Sequence, residues 1–160
     1  MPVFETMRGQ RAVAAPAAID AALANWAALP SESPAGLRAN RPGLETHRSS
    51  VRDSSPIVLR LAPDEVLVLG AGLLGAPDLT VAGDEHAMVV AEAGFSGCWF
   101  SWEDYERVVA PYVDWRLPTE RPGLGQGRVA GVPAKLSCTA DGVLVLTSTA
   151  YVHDLQERLV

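Results

Sequence analysis

Seven of the ten aromatic residues in this chain lie between Phe95 and Trp115: Phe95, Trp99, Phe100, Trp102, Tyr105, Tyr112 and Trp115. Aromatic side chains bury the largest areas and are enriched where one protein docks on another. In a chain otherwise built of Ala, Val, Leu, Gly and Pro, this window is therefore either the core of the fold or a docking face. Neither reading brings chemistry with it. No nucleophile, base and orienting carboxylate are grouped there, and no metal-ligand spacing runs through it.

At 160 residues the chain suits one domain, or one small domain with an extended arm. Its 13 basic and 19 acidic side chains leave a net charge of −6, a field that repels phosphate backbones and argues against nucleic acid as a partner. Twelve of the bases are Arg, and Lys135 is the single Lys. No apolar run approaches the ~20 residues needed to cross a bilayer, and residues 1–10 lack a charged stub followed by an apolar stretch. The expectation is a cytoplasmic protein with no membrane partner. Cys98 and Cys138 stand alone, without a C-x-x-C pair or crowded His, and are expected to be reduced, buried thiols that pack as small apolar residues.

Residues 16–28 carry Ile19, Leu23 and Trp26 at helical spacing and stop before Pro30, which predicts one short amphipathic helix. From Ser31 to Pro56 the composition shifts to Ser, Pro, Gly, Asn and Arg, as in a long loop or arm. Arg38, Arg41, Arg48 and Arg52, with His47, are read as solvated arm charge, with an anion site as the sharper alternative. The expected division is thus 1–56, helix and arm, and 57–160, a compact α+β unit.

That unit begins with a hairpin, Ile57–Leu61 and Glu65–Leu69 about the turn Ala62-Pro63-Asp64. Strands are predicted at 87–92 and 97–100. Ser101 then opens a helix with Asp104 three residues on, the S-x-x-[DE] capping box. On that helix Trp102, Tyr105, Val108 and Val109 share one stripe, and Pro111 ends it. The Gly-rich run 121–127 leads into an expected strand at 128–139, irregular at Gly131 and Pro133. Asp141-Gly142 favours a tight hairpin turn, Val143–Leu146 returns, and a helix over 150–159 closes the chain. The order β-β-α-β-β-α from Ala87 predicts an α+β fold, an antiparallel sheet with helices on one face.

Gly70-Ala71-Gly72-Leu73-Leu74-Gly75 matches G-x-G-x-x-G after a strand, but Ala76-Pro77-Asp78 follows where a dinucleotide fingerprint needs a helix to begin. It is read as a flexible connection. The adjacent carboxylates Asp64-Glu65, Asp84-Glu85 and Glu103-Asp104 are placed as turn or helix-surface acids, and His86 and His153 as surface or capping histidines. No catalytic, cofactor-binding or metal-binding residue is identified.

The order of the pieces is more informative. Leu61-Ala62-Pro63-Asp64-Glu65-Val66-Leu67-Val68-Leu69-Gly70 resembles the L-x-P-D-E-W-L-L segment of the gamma subunit of heterotetrameric sarcosine oxidase. Downstream, an Ala-Glu-Ala-Gly-Phe-Ser strand stands where that family has V-D-V-S. The capped helix follows, then Val113-Asp114-Trp115-Arg116-Leu117-Pro118 resembling its P-L-D-L-H-P, a Pro-Gly and Gln-containing loop at 122–126, a strand-turn-strand and a closing helix resembling its S-F-A-D-Y-L-W-E-W-L. The resemblance covers roughly residues 57 to 159. The family's Trp is Val66 here, and the Ser-Phe that opens its last helix is Ala150-Tyr151.

The resemblance implies a module related to part of the folate-binding aminomethyltransferase fold, with no catalytic residue of its own. It implies packing on an alpha subunit, within a complex that also holds beta and delta subunits, and FAD, FMN, NAD and tetrahydrofolate in the partner chains. The complex would carry out flavin-dependent oxidative N-demethylation of a methylated amine, passing the one-carbon unit to tetrahydrofolate. Trp26, Arg38, Arg41, Arg48, Arg52, Trp99 and Trp115 are the candidate interface. Two other classes remain: a stand-alone folate or one-carbon-binding protein, whose pterin an aromatic lid would cover, and a homodimeric interaction domain.

Overall fold

The computed structural model describes residues 1–27, 57–70 and 81–159. The hairpin read at residues 57–69 is present, as β2 (Ile57–Ala62) and β3 (Glu65–Gly70). Alternation sorts its side chains: Val66 and Val68 point to one face, Leu59, Leu67 and Leu69 to the other, and all five are buried.

The partner of β3 is a strand for which the sequence analysis had no element. β1 (Glu5–Val13) runs antiparallel to β3 on one side and to β4 (Met88–Ser101) on the other. The described part of residues 1–56 is thus built into the middle of the sheet, which corrects the division placed after Pro56. The helix α1 (Pro16–Ala27) follows directly and packs Ala18 and Ile19 on Ala12, Val66 and Val68. Asp84 holds its start: one carboxylate oxygen accepts from the Ala15 amide at 2.7 Å, the other from His86 N–H at 2.9 Å. These two bonds hold the Asp84 carboxyl below the usual carboxylate range.

β4 also differs from expectation, being one strand of 14 residues where two were predicted. Opposite it the register slips, with Met7 facing Phe95 but Gly9 facing Glu92, so Ala93 and Gly94 of β4 oppose the single residue Arg8 of β1. The slip keeps Met7 and Phe95 on the face of Leu67 and Leu69. Gly9 is required at the crossing, because a β-carbon there would stand 1.9 Å from the Val68 carbonyl oxygen.

After β4, Ser101 caps as read: its Oγ accepts from the Asp104 amide at 3.1 Å. The helix differs in kind. One α-turn, α2 (Trp102–Asp104), widens into a π segment (Tyr105–Val109) and tightens into a 3-10 turn (Ala110–Tyr112) around Pro111. The stripe still faces the sheet, with Tyr105 and Val109 buried.

The Gly-rich run forms β5 (Gly123–Val129), paired with β6 (Val132–Cys138) through a two-residue turn in which Ala130 and Gly131 both have positive φ, 51° and 80°. The single irregular strand expected at 128–139 is therefore a hairpin, and the order after β4 is helical segment, three strands, helix. β7 (Gly142–Ser148) follows the predicted Asp141-Gly142 turn, and α3 (Val152–Arg158) closes the chain behind a 3-10 turn.

Among the described residues, seven strands form one antiparallel sheet in the order β2-β3-β1-β4-β7-β6-β5, an α+β architecture. Helical segments cover one face: α1 over β1 and β3, and Tyr105, Val109 and Leu155 over Cys98, Phe100, Leu136, Val143 and Val145. On the other face Leu59, Leu67 and Leu69 meet Leu144 and Leu146 from the far half of the sheet, with Phe95, Trp99 and Leu124 packed beside them. Those strands are not neighbours, so the sheet curls, and this second face is concave. Its two edges meet where Gln126 Nε2 on β5 donates to the Leu61 carbonyl on β2 at 2.9 Å.

Candidate functional site

The aromatic window is divided between the two faces. Phe100, Trp102, Tyr105 and Trp115 belong to the helix-covered core, Phe95 and Trp99 to the concave one, and Tyr112 is exposed. Trp115 lies along β5: its Nε1 donates to the Arg128 carbonyl at 2.8 Å, and its ring rests where β-carbons on Gly125 and Gly127 would come within 2.6 and 2.5 Å. The glycines at alternate positions of β5 thus form a bed for this indole. Trp99 is half-buried among the leucines of the concave face. Trp26 sits on α1, and Arg38, Arg41, Arg48 and Arg52, with His47, lie outside the described residues, as do Gly72 and Gly75. Trp99 and Trp115 therefore lie on opposite faces and are not joined into one patch.

The strongest polar constellation is one to which sequence reading assigned no role. Arg11, on the concave face of β1, bonds Glu65 of β3 at 2.8 Å through Nη1 and Glu92 of β4 through Nε at 3.1 Å and Nη2 at 2.8 Å. All three side chains are partly shielded from water, so this triad is worth more than an exposed pair. Beside it, Lys135 Nζ on β6 donates to Gln126 Oε1 at 2.8 Å. The ring of Phe95 lies between the two cations, 6.0 Å from the Arg11 guanidinium carbon and 5.7 Å from Lys135 Nζ, the range of cation–π attraction. Burial is the main influence on the Lys135 ammonium and draws it below the usual lysine range; Glu65 opposes this and Arg11 adds to it.

Phe95, Gln126 and Lys135 line a half-open cleft of about 400 Å³ with Leu146, Ser148 and Tyr151. The residues come from β4, β5, β6, β7 and the turn after β7. No fixed spacing along the chain announces such a site, since only the curled sheet brings them together.

The thiols sit on the other face. Cys98 and Cys138 are free and buried, as expected, and burial pushes the Cys98 thiol up to about 11 and Cys138 upward as well. Such thiols are poor nucleophiles at neutral pH. Burial likewise pushes the Tyr105 phenol up to about 12. His86 lies 3.6 Å from Glu85 and His153 lies 3.2 Å from Glu157, each at the surface. Among the described residues, no three of His, Cys, Asp and Glu are grouped to hold a metal ion, and no helix is long and apolar enough to cross a membrane.

The fold defines the chain as an α+β protein built on a curled antiparallel sheet with helices on its convex face. A chain of this fold is found in the heterotetrameric sarcosine oxidase from Corynebacterium sp. U-96, solved in complex with pyrrole 2-carboxylate. The two share a TM-score of 0.63 at 17% identity, over 98% of this chain and 79% of that one. This is a relationship of fold. No family model and no curated protein sequence matches the chain.

Proposed function

We propose that this protein is a non-catalytic, gamma-type subunit of a heterotetrameric sarcosine oxidase-like complex. The complex carries out flavin-dependent oxidative N-demethylation of a methylated amine and passes the one-carbon unit to tetrahydrofolate. The chain packs directly on an alpha subunit, with beta and delta subunits in the same cytoplasmic assembly, and FAD, FMN, NAD and tetrahydrofolate are bound by those partners. The observation that carries the reading is the fold likeness over 98% of this chain to a chain of such a heterotetramer. The ordered segments from Leu61 to Leu159 that resemble the gamma subunit support it. In this reading residues 28–56 and the surface around α1, Trp26 included, meet the larger chain.

The test is affinity purification of the tagged full-length chain from its native cells under mild conditions. The expected result is stoichiometric recovery of larger partner chains with flavin absorbance and amine-dependent reduction of that flavin. Recovery of a flavin-free monomer or homodimer with no partner overturns the proposal.

A further inference from the structure

We propose that the cleft between Phe95, Lys135 and Tyr151 binds a small monocarboxylate with a flat apolar body, the carboxylate on Lys135 and the body against the apolar wall. This site is independent of the subunit reading and belongs to the chain itself.

The argument begins with charge. Arg11 is fully engaged by Glu65 and Glu92, so that cation is already neutralised. Lys135 makes no ion pair among the described residues, and it donates a hydrogen bond to the neutral amide oxygen of Gln126. An ammonium carries three donors, so two remain for a ligand. The head group is also held in place: Gln126 is tied by its Nε2 to the Leu61 carbonyl, which aims its Oε1 at Lys135. A half-buried cation with a fixed head, in the field of Glu65 but bonded directly to no carboxylate among the described residues, keeps donors for an anion.

The surroundings limit which anion. Glu65 and Glu92 set two negative charges against the one positive charge of Arg11, so a dianion such as phosphate meets more repulsion here than a single negative charge placed on Lys135. The aromatic surfaces of Phe95 and Tyr151 suit an apolar body, while Leu146 beneath the cleft is fully buried. At about 400 Å³ the cleft falls in the range of small-molecule sites, roughly 300 to 1,000 Å³.

Bound carboxylate favours the ammonium form, so affinity falls as pH rises through the lysine's titration. Burial sets that midpoint first, lowering it, with Glu65 on β3 raising it and Arg11 on β1 lowering it; Glu92 on β4 and Tyr151 are the other titratable groups nearby.

Because Lys135 is the only lysine, labelling the full-length protein with carbon isotope at the lysine ε-position yields one NMR cross-peak that reports this site. Benzoate is expected to move that peak saturably and to raise its pH midpoint, while benzamide, of the same shape without the charge, leaves it in place. Measured on the benzoate signals, Lys135→Gln should weaken binding roughly tenfold, the size of one lost charge-assisted hydrogen bond, and Lys135→Arg should retain most of it. A peak that ignores benzoate, or that responds equally to benzamide, overturns the proposal. So does a response to a Glu-rich peptide with none to benzoate, which assigns the cleft to an acidic protein segment. The parent protein alone decides these outcomes, so a variant that fails to fold does not remove the test. Partner recovery from cells is unaffected by the result, so failure here and failure of the subunit reading are separate.

Discussion

The indole of Trp115 rests on the backbone of Gly127, where a β-carbon would stand 2.5 Å from Nε1 and Cε2 of the ring. A side chain at Gly127 must push the ring from its bed and break its bond to the Arg128 carbonyl. Gly127→Val is therefore expected to destabilise the protein by roughly 1 to 3 kcal/mol, as overpacking does. Urea unfolding followed by tryptophan fluorescence measures it. A variant as stable as the parent would show that Trp115 is not anchored there.

Residues 1–13 are expected to be indispensable to folding. β1 supplies the ladders to both β3 and β4, and without it the sheet divides, with Leu67 and Val66 losing their cross-strand neighbours. A chain starting at residue 57 should show little cooperative unfolding by circular dichroism, whereas the sequence alone predicted a self-sufficient unit. A sharp two-state transition for that fragment would restore the earlier division.

Alkaline pH should weaken the fold through the buried thiols. The Cys98 thiol titrates near 9.0 when unfolded and is pushed up to about 11 in the fold, mainly by burial. Between those values the unfolded state has lost a proton that the folded state keeps, so stability present below pH 9 is lost as pH rises toward 11. The loss is on the order of 2 kcal/mol by the linkage of proton binding to folding. Cys98→Ala should flatten the stability profile across that window, as read by denaturant midpoints at a series of pH values. In the native protein at pH 8, both thiols should react far more slowly with a disulfide reagent than after unfolding.

Ala130 occupies a left-handed conformation, φ 51°, at the first position of the β5–β6 turn. A residue with a β-carbon is strained there by about 1 to 2 kcal/mol, and Asn tolerates the region better than Ala. Ala130→Asn is expected to raise stability by roughly 0.5 to 1 kcal/mol, a gain visible in the thermal midpoint. An unchanged or lowered midpoint argues that the cost of placing the added carboxamide beside the helix-covered core, on which Ala130 packs, outweighs the relief.

What could be read in advance depended on whether burial left a period in the sequence. The β2–β3 hairpin was legible because apolar residues flank a Pro-Asp turn, and the Ser101 cap because its partner lies three residues away. β1 was not, since its concave-face positions include Gly9 and Arg11, one needed for close approach and one neutralised by Glu65 and Glu92 from distant strands. β5 hid for a related reason: its alternate glycines resemble a loop until Trp115 is laid on them. The Arg11–Lys135 constellation had no local signature at all. Its members are tens of residues apart, and long-range strand pairing alone makes them neighbours.

Among the described residues, no strand pairs with the Met88–Gly94 half of β4 on the side away from β1. That stretch ends in the register slip, and the Glu92 carboxylate accepts the Gly94 N–H at 2.7 Å. An open backbone row invites strands from other chains, and distortion with internally satisfied amides discourages them. A strand edge kinked and satisfied in this way is guarded against indiscriminate extension of the sheet by stray strands.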